Sequence, residues 1–175
     1  MEQYTRELLL LRHAKSDWNS AVDSDFQRPL SKRGTRDAPR VGQWLNDQRL
    51  LPDFVISSPA TRARQTTCNV CNMTGIPESD INWEARIYEA VPGMLITVLS
   101  ACPQVRLVLL VGHNPGLELL LAYLCGSTLE QPPDGKLMPT ATLARIGMPP
   151  DWRALQPNTG RLISLTRPAS MDIGG

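Results

Sequence analysis

The chain contains two histidines, His13 and His113, and each stands directly after a short apolar run, Leu8 to Leu11 and Leu107 to Gly112. His13 follows Arg12, and the turn Ser57-Ser58-Pro59 leads into a segment that presents Arg62 within one helical turn. Either imidazole alone reads as a structural residue tied to a loop. Taken with two guanidinium groups and a helix start, the pair reads as a cationic pocket. The guest that matches it is a phosphoryl group, because its tetrahedral oxygens accept forked guanidinium hydrogen bonds in a fixed geometry. Free N–H groups at a helix N-terminus add attraction for an anion, and carboxylate is the competing guest. Arg64 follows Arg62 by two positions, about 200° around a helix of 3.6 residues per turn, so it points away and reads as a surface or salt-bridging residue.

For these residues to meet, they must lie at one edge of a common scaffold. Glu7–Leu11, Asp53–Ser57 and Arg106–Val111 read as strands buried on both faces, since their apolar runs have no amphipathic break. Ser31 is a plausible N-cap for a helix towards Asn46, with Val41, Trp44 and Leu45 at helical spacing. Pro39 requires either a kink in that helix or a later start near Asp37. Ser58 as cap and Pro59 at the first helical position open a second helix that ends near Met73. A weaker strand is expected over 81–87, a helix from Pro92 to Ser100, and a helix over 117–124 stopped by Gly126. Residues 128–139 read as a loop, 140–146 and 161–166 as two late strands, and the tail from about Pro168 as frayed. Strands alternating with helices predict one α/β domain over 1–175, a three-layer α/β/α sandwich around a largely parallel sheet. Ligands of such sheets bind beyond the C-terminal strand ends, where Arg12, His13, Arg62 and His113 all fall.

Composition narrows the partners. Lys plus Arg number 18 and Asp plus Glu 17, giving a net charge of +1, which disfavours a nucleic-acid-binding protein. With 42% hydrophobic and 20% charged residues, there is enough apolar material for a core. No apolar run approaches the roughly 18 to 20 residues of a membrane span, and Met1 to Leu11 lacks the pattern of a signal peptide. No membrane partner is expected, and a cytoplasmic location is. Cys68 and Cys71 form a lone C-x-x-C pair with no second pair to complete a zinc site; they, Cys102 and Cys125 read as thiols without a role. Two histidines without a nearby cluster of carboxylates or thiolates also make a poor metal site, so no metal or cofactor is expected.

Four blocks in order resemble the histidine phosphatase superfamily, and within it the small SixA-like phosphohistidine phosphatase branch. They are Leu11-Arg12-His13-Ala14-Lys15-Ser16-Asp17-Trp18, Arg28-Pro29-Leu30-Ser31-Lys32-Arg33-Gly34, Ser57-Ser58-Pro59-Ala60-Thr61-Arg62-Ala63-Arg64-Gln65-Thr66 and Val111-Gly112-His113-Asn114-Pro115-Gly116. Ala14 stands where many relatives carry glycine, and the small branch resembles this chain there. The resemblance covers residues 8–124 and implies a phosphoglycerate mutase-like fold. It also implies a metal-independent two-step reaction, in which neutral His13 attacks phosphorus and water hydrolyses the phosphohistidine. Arg12, Arg62 and His113 would hold the phosphoryl oxygens, His113 as a cationic donor. A backbone carbonyl would fix the His13 tautomer. Glu89 is the closest match to the family's proton donor, with burial raising its pKa; Glu84 and Asp17 read as solvated carboxylates. Arg28 is implied to bind phosphate, with pairing to a nearby carboxylate as the other reading, and Ser16 and Asn19 are assigned nothing.

A short chain with few insertions implies an open cleft, which fits a phosphorylated protein side chain such as phosphohistidine and also admits small phosphoesters. A mutase ranks lower because it needs covering elements, and a metallohydrolase ranks lowest. A non-catalytic phosphate-binding module keeps the same pocket without turnover.

Overall fold

The computed structural model describes residues 3–171. Six strands form one sheet in the order β3-β2-β4-β1-β5-β6. In chain order they are β1 (Arg6–Arg12), β2 (Phe54–Ser57), β3 (Ile81–Trp83), β4 (Leu107–Gly112), β5 (Leu143–Met148) and β6 (Arg161–Thr166). The first four run parallel to one another; β5 adds antiparallel to β1, and β6 antiparallel to β5. The expected α/β/α sandwich around a largely parallel sheet is therefore the observed fold.

Alternation along the strands builds two cores, because successive side chains leave a strand on opposite faces. Leu8, Leu10, Ile56, Val108 and Leu110 pack against α3 (Pro92–Ser100) and α4 (Gly116–Cys125). On the other face, Leu9, Leu11, Val55, Leu109 and Val111 pack against α1 (Lys32–Asp47) and α2 (Thr61–Thr74). β4 is buried at every position, as a strand covered on both faces must be.

The register decides what the strand ends share. Arg12 lies opposite Gly112 across β1 and β4, and Ser57 lies opposite Val111 across β2 and β4. His13, Ser58 and His113 thus leave the sheet at one level.

Several local expectations change. Ser31 caps α1 as expected, its hydroxyl accepting from the Gly34 N–H and donating to the Lys15 carbonyl, but the helix runs from Lys32 through Pro39 and does not start near Asp37. Helix α2 starts at Thr61, not at Pro59, and Ser58 is not its cap, although Arg62 keeps its place in the first turn. The expected strand over 81–87 ends at Trp83, because Glu84 turns the chain into a single 3-10 turn, Ala85–Ile87. The tail is not frayed from Pro168. Pro168–Ser170 form a turn and Met171 is fully buried in the α1/α2 core, so apolar burial anchors it; the remainder of that expectation, 172–175, lies outside the described residues. Among the described residues, no helix is long and apolar enough to cross a membrane.

Gly34 lies where the first turn of α1 crosses the Lys15 backbone, and a β-carbon there would collide with the Lys15 carbonyl. Lys15 is two residues from His13, so this close approach seats the segment that carries the imidazole. Alanine gains about 1 kcal/mol of helix propensity over glycine, but a clash with backbone forces a shift of the kind that costs about 1–3 kcal/mol. Gly34→Ala is expected to destabilise the protein despite the propensity gain; a urea-unfolding midpoint at or above that of the wild type would contradict this packing account.

Candidate active site

Strand β1 delivers Arg12 and His13, and its exit is held on two sides. The His13 N–H donates to the Gly112 carbonyl at 3.1 Å, and the Ala141 N–H donates to the carbonyls of Arg12 and His13, each at 3.1 Å. Ala141 adopts φ 59°, a left-handed conformation unfavourable for a side chain with a β-carbon, and this directs its N–H at both carbonyls. The Ala14 N–H donates to Thr66 Oγ1 at 3.0 Å, tying the same segment to α2.

The His13 ring is 6% exposed, and its Nδ1 lies 2.7 Å from the Ala14 carbonyl. A carbonyl only accepts, so Nδ1 carries the hydrogen and Nε2 keeps its lone pair. This identifies the carbonyl that the sequence left unnamed. Burial, followed by the positive surroundings of His113, Arg62 and Arg12, pushes the His13 pKa down to about 3, against the bond to Ala14. The imidazole is neutral at pH 7.

The His113 ring centroid is 5.1 Å from that of His13, with the planes tilted by 52°. His113 Nε2 is 2.7 Å from Ser58 Oγ, and that hydroxyl already accepts from the Ala60 N–H at 3.2 Å. That oxygen keeps a second lone pair as well as its own hydrogen, so the contact is made by either tautomer of His113. Burial first, and Arg62 next, lower the His113 pKa to about 4. In the free protein His113 is thus neutral, because burial and the neighbouring guanidinium groups both disfavour its charged form, with only Asp25 acting the other way.

Arg12 donates through Nη1 to the Met138 carbonyl at 3.0 Å, and Asn114 Nδ2 reaches the same carbonyl at 2.9 Å. Glu118 Oε1 accepts from Asn114 Nδ2 at 3.0 Å and from the Met138 N–H at 2.9 Å, so one carboxylate on α4 holds the loop that holds Arg12. Arg62 donates to the Asp25 carbonyl at 2.7 Å and to Asp25 Oδ2 at 3.0 Å. Arg28 pairs with Asp25 Oδ1 at 2.6 Å, donates to Ser16 Oγ, and stacks over Trp18 at 3.6 Å. Of its two expected roles, Arg28 fills the pairing one in the free protein. Arg64 faces away as expected, pairing with Glu78 at 3.7 Å and stacking on Trp83.

Asp25 is the residue the sequence reading missed. It lies in the single 3-10 turn Asp25–Gln27, between β1 and α1. Besides the two arginines it accepts from the Tyr88 hydroxyl at 2.8 Å, and these bonds, that from Arg28 foremost, hold its pKa well below the carboxylate range. The signal was its place three residues before Arg28, within reach of a guanidinium; its contact with Arg62, across 37 residues, has no local signature. Tyr88 meets His113 edge-on at 5.5 Å and Phe26 at 5.1 Å, forming one wall.

A cleft of about 320 Å³ opens beside this wall, lined by Asp25, Arg62, Tyr88, Glu89 and His113 among others. Glu89 reaches the cleft from a left-handed backbone, φ 55°, but it is exposed, not buried as expected. Glu84 is engaged by Arg86 instead. Three buried nitrogen atoms of the site, Arg12 Nε, Arg62 Nε and His113 Nδ1, have no hydrogen-bond partner in the protein. Among the described residues, no group of three or more His, Cys, Asp or Glu side chains is placed to hold a metal ion.

A parallel-sheet edge that pairs two imidazoles within a ring of guanidinium groups defines a distinct class of α/β protein. The profile of the histidine phosphatase superfamily (branch 1) matches residues 8–95, and the chain belongs to that superfamily, in its SixA-like branch. An uncharacterized chloroplastic protein of Arabidopsis thaliana is 33% identical over 72% of this chain and 62% of its own length. The chain thus spans under two thirds of that relative. An uncharacterized protein of Mycobacterium tuberculosis is 32% identical over 90% of this chain and 99% of its own. The phosphohistidine phosphatase SixA of Escherichia coli is 28% identical over 80% of this chain and 84% of its own. Among solved structures, a SixA-type protein of Agrobacterium tumefaciens superposes with a TM-score of 0.79 at 31% identity, covering 94% of this chain and 99% of that one.

The depressed imidazoles make stability depend on pH with a definite sign. Below about 6.5 the unfolded chain protonates both histidines, whereas the folded protein resists until about pH 4 for His113 and about 3 for His13. Their contribution is complete above about pH 6.5 and is lost as pH falls through that window. Carboxylates such as Asp25 contribute in the same direction only at lower pH. Unfolding in urea at pH 5.0 is therefore expected to show at least about 1 kcal/mol less stability than at pH 7.0. Replacing both histidines with asparagine is expected to flatten the difference; an equal slope in the double variant would remove the imidazoles as its source.

Proposed function

We propose that this protein is a metal-independent phosphatase that works through a phosphohistidine intermediate at His13, and that its substrate is a phosphohistidine-bearing protein. The observation that carries this reading is the tautomer of His13: Nδ1 is committed to the Ala14 carbonyl, so the lone pair of Nε2 remains available in an imidazole kept neutral by burial.

Nε2 attacks phosphorus in line with the bond to the leaving group, and that bond's electron pair departs with the leaving atom. Arg12, Arg62 and His113 supply donors to the three equatorial oxygens, and the buried nitrogen atoms without protein partners are the ones a phosphoryl group would satisfy. Their contribution is largest where charge is redistributed over those oxygens. When the dianion arrives, Arg62 must exchange part of its bonding from Asp25 to phosphate, and Arg28, held on Asp25, is brought within the same charged group. Water then attacks the phosphohistidine, returning His13 and releasing phosphate.

Glu89, on the cleft wall, delivers the proton to the leaving atom. The leaving group decides how much a proton from Glu89 matters. A phosphohistidine ring leaves as neutral imidazole once its other nitrogen, which takes up a proton at about pH 6.5, has been protonated from solvent, whereas an alkoxide needs a proton on the leaving oxygen itself. The mouth of the cleft also carries exposed apolar side chains, Phe26 at 38%, Val91 at 66% and Leu119 at 50%, which supports a protein surface as the substrate's carrier. No transmembrane helix is present among the described residues, and a cytoplasmic site of action is part of the proposal.

With a chromogenic aryl phosphate in excess chelator, turnover is expected to persist, to fall at least about a thousandfold in His13→Ala and at least about tenfold in Arg62→Ala. Retained phosphate binding without any turnover would support a binding module, and loss of activity in chelator a metallohydrolase. Set beside small phosphoesters, a phosphohistidine peptide is expected to be the better substrate. Glu89→Gln is expected to slow an alkyl phosphate about tenfold or more but the peptide about threefold or less; equal losses on both would reject the leaving-group argument.

A further inference from the structure

A second cationic cleft lies apart from the histidines, between α1 and the segments on either side of β5 and β6. It encloses about 360 Å³ and shares no lining residue with the cleft that holds Arg62 and His113. Arg33, Arg36 and Arg40 enter it from α1 at i, i+3 and i+7, hence from one helix face. Lys136 and Arg167 enter from the opposite side. Against these five cations the lining holds two carboxylates, Asp37 and Asp134, so the cleft carries 5 − 2 = +3 in a chain whose net charge is +1.

The carboxylates leave that excess in place. Asp37, 6% exposed, is shared by Arg33 at 3.5 Å and Arg36 at 3.3 Å, and Asp134 is taken by Arg167 at 2.6 Å. Arg40 and Lys136 have no carboxylate partner among the described residues, and like charges three and four positions apart on a helix are mutually destabilising. At the floor, Thr142 is fully buried, yet its hydroxyl has no hydrogen-bond partner, and neither has the buried Arg40 Nε. A fully buried hydroxyl without a partner costs free energy unless something else satisfies it. Guanidinium forks, an ammonium and a threonine hydroxyl around one small volume are complementary to a compact, multiply charged oxyanion.

We propose that this cleft is a second anion site, and that it takes a diphosphate group, free or as an ester. Arg33, Arg36, Arg40 and Lys136 provide the charge and Thr142 a hydroxyl donor. The site does not depend on the reaction assigned to His13.

Calorimetric titration of inorganic diphosphate into the full chain carrying His13→Ala, at low ionic strength with chelator, tests it. Two binding events are expected. Adding Arg62→Ala should weaken one, and adding Lys136→Glu with Arg33→Gln should weaken the other about tenfold or more. Arg33→Gln leaves Arg36 on Asp37, and Lys136→Glu alone changes an exposed loop residue, so a folded variant remains even if the double change destabilises. In the His13-containing protein, the same two changes should leave aryl phosphate turnover within about twofold. Parallel titration with adenosine diphosphate separates the sources: loss of its binding in the cleft variant identifies an ester, whereas binding of diphosphate alone identifies the free anion. A single event removed by Arg62→Ala, or unchanged affinity in the Lys136→Glu variants, overturns the proposal.

Discussion

The register of β1 against β4, with Arg12 opposite Gly112, is the constraint on which the histidine pocket depends. A parallel pair carries its strand ends to the same side, so residues 100 positions apart in the chain emerge together. A slip of one residue would turn the Leu8 to Leu11 run over, exchanging the side chains that face the α3/α4 core with those that face α1/α2. Both faces are apolar, so inside–outside patterning alone does not set this register. The exits add to it: the His13 N–H on the Gly112 carbonyl, and the Ala141 N–H shared by Arg12 and His13.

The pocket that results opposes two electrostatic tendencies. Guanidinium groups are present to meet an anion, and burial first, with their field added to it, disfavours the proton on both imidazoles. A protonated His13 would have no lone pair, so the cations that attract a phosphoryl group also preserve the atom proposed to attack it. Asp25 tempers the field in the free protein by engaging Arg28, Arg62 and Tyr88 together. It holds two flexible guanidinium groups in place before any ligand arrives, which lowers the ordering cost of binding. It is also the anion that an incoming phosphoryl group must displace from Arg62.

The legible and illegible parts of the site divide along a physical line. Arg12, His13, Arg62 and His113 could be located because each is adjacent in the chain to a strong local signal, an unbroken apolar strand or a Ser-Ser-Pro turn. The helices at Pro92 and Gly116 and the strand at Leu107 announced themselves in the same way. Ser58 was read as a helix cap because its type and position fit one. Its hydroxyl instead meets His113, a partner 55 residues away that no local rule identifies. Glu89 was expected to be buried, yet the tight turn after Ile87 leaves it at the rim.

Sequence by itself determined the α/β class, the order of the strands' apolar runs, and which side chains stand at their C-terminal ends, because period, turn chemistry and residue type are local properties of the chain. Tertiary structure alone decided the protonation of the imidazoles and the tautomer of His13, the capture of Arg62 and Arg28 by Asp25, and the gathering of Arg33, Arg36 and Arg40 with Lys136 and Arg167 around one cleft. These follow from desolvation and from Coulomb and hydrogen-bond distances between groups remote in sequence, quantities that exist only once the sheet has brought the segments together.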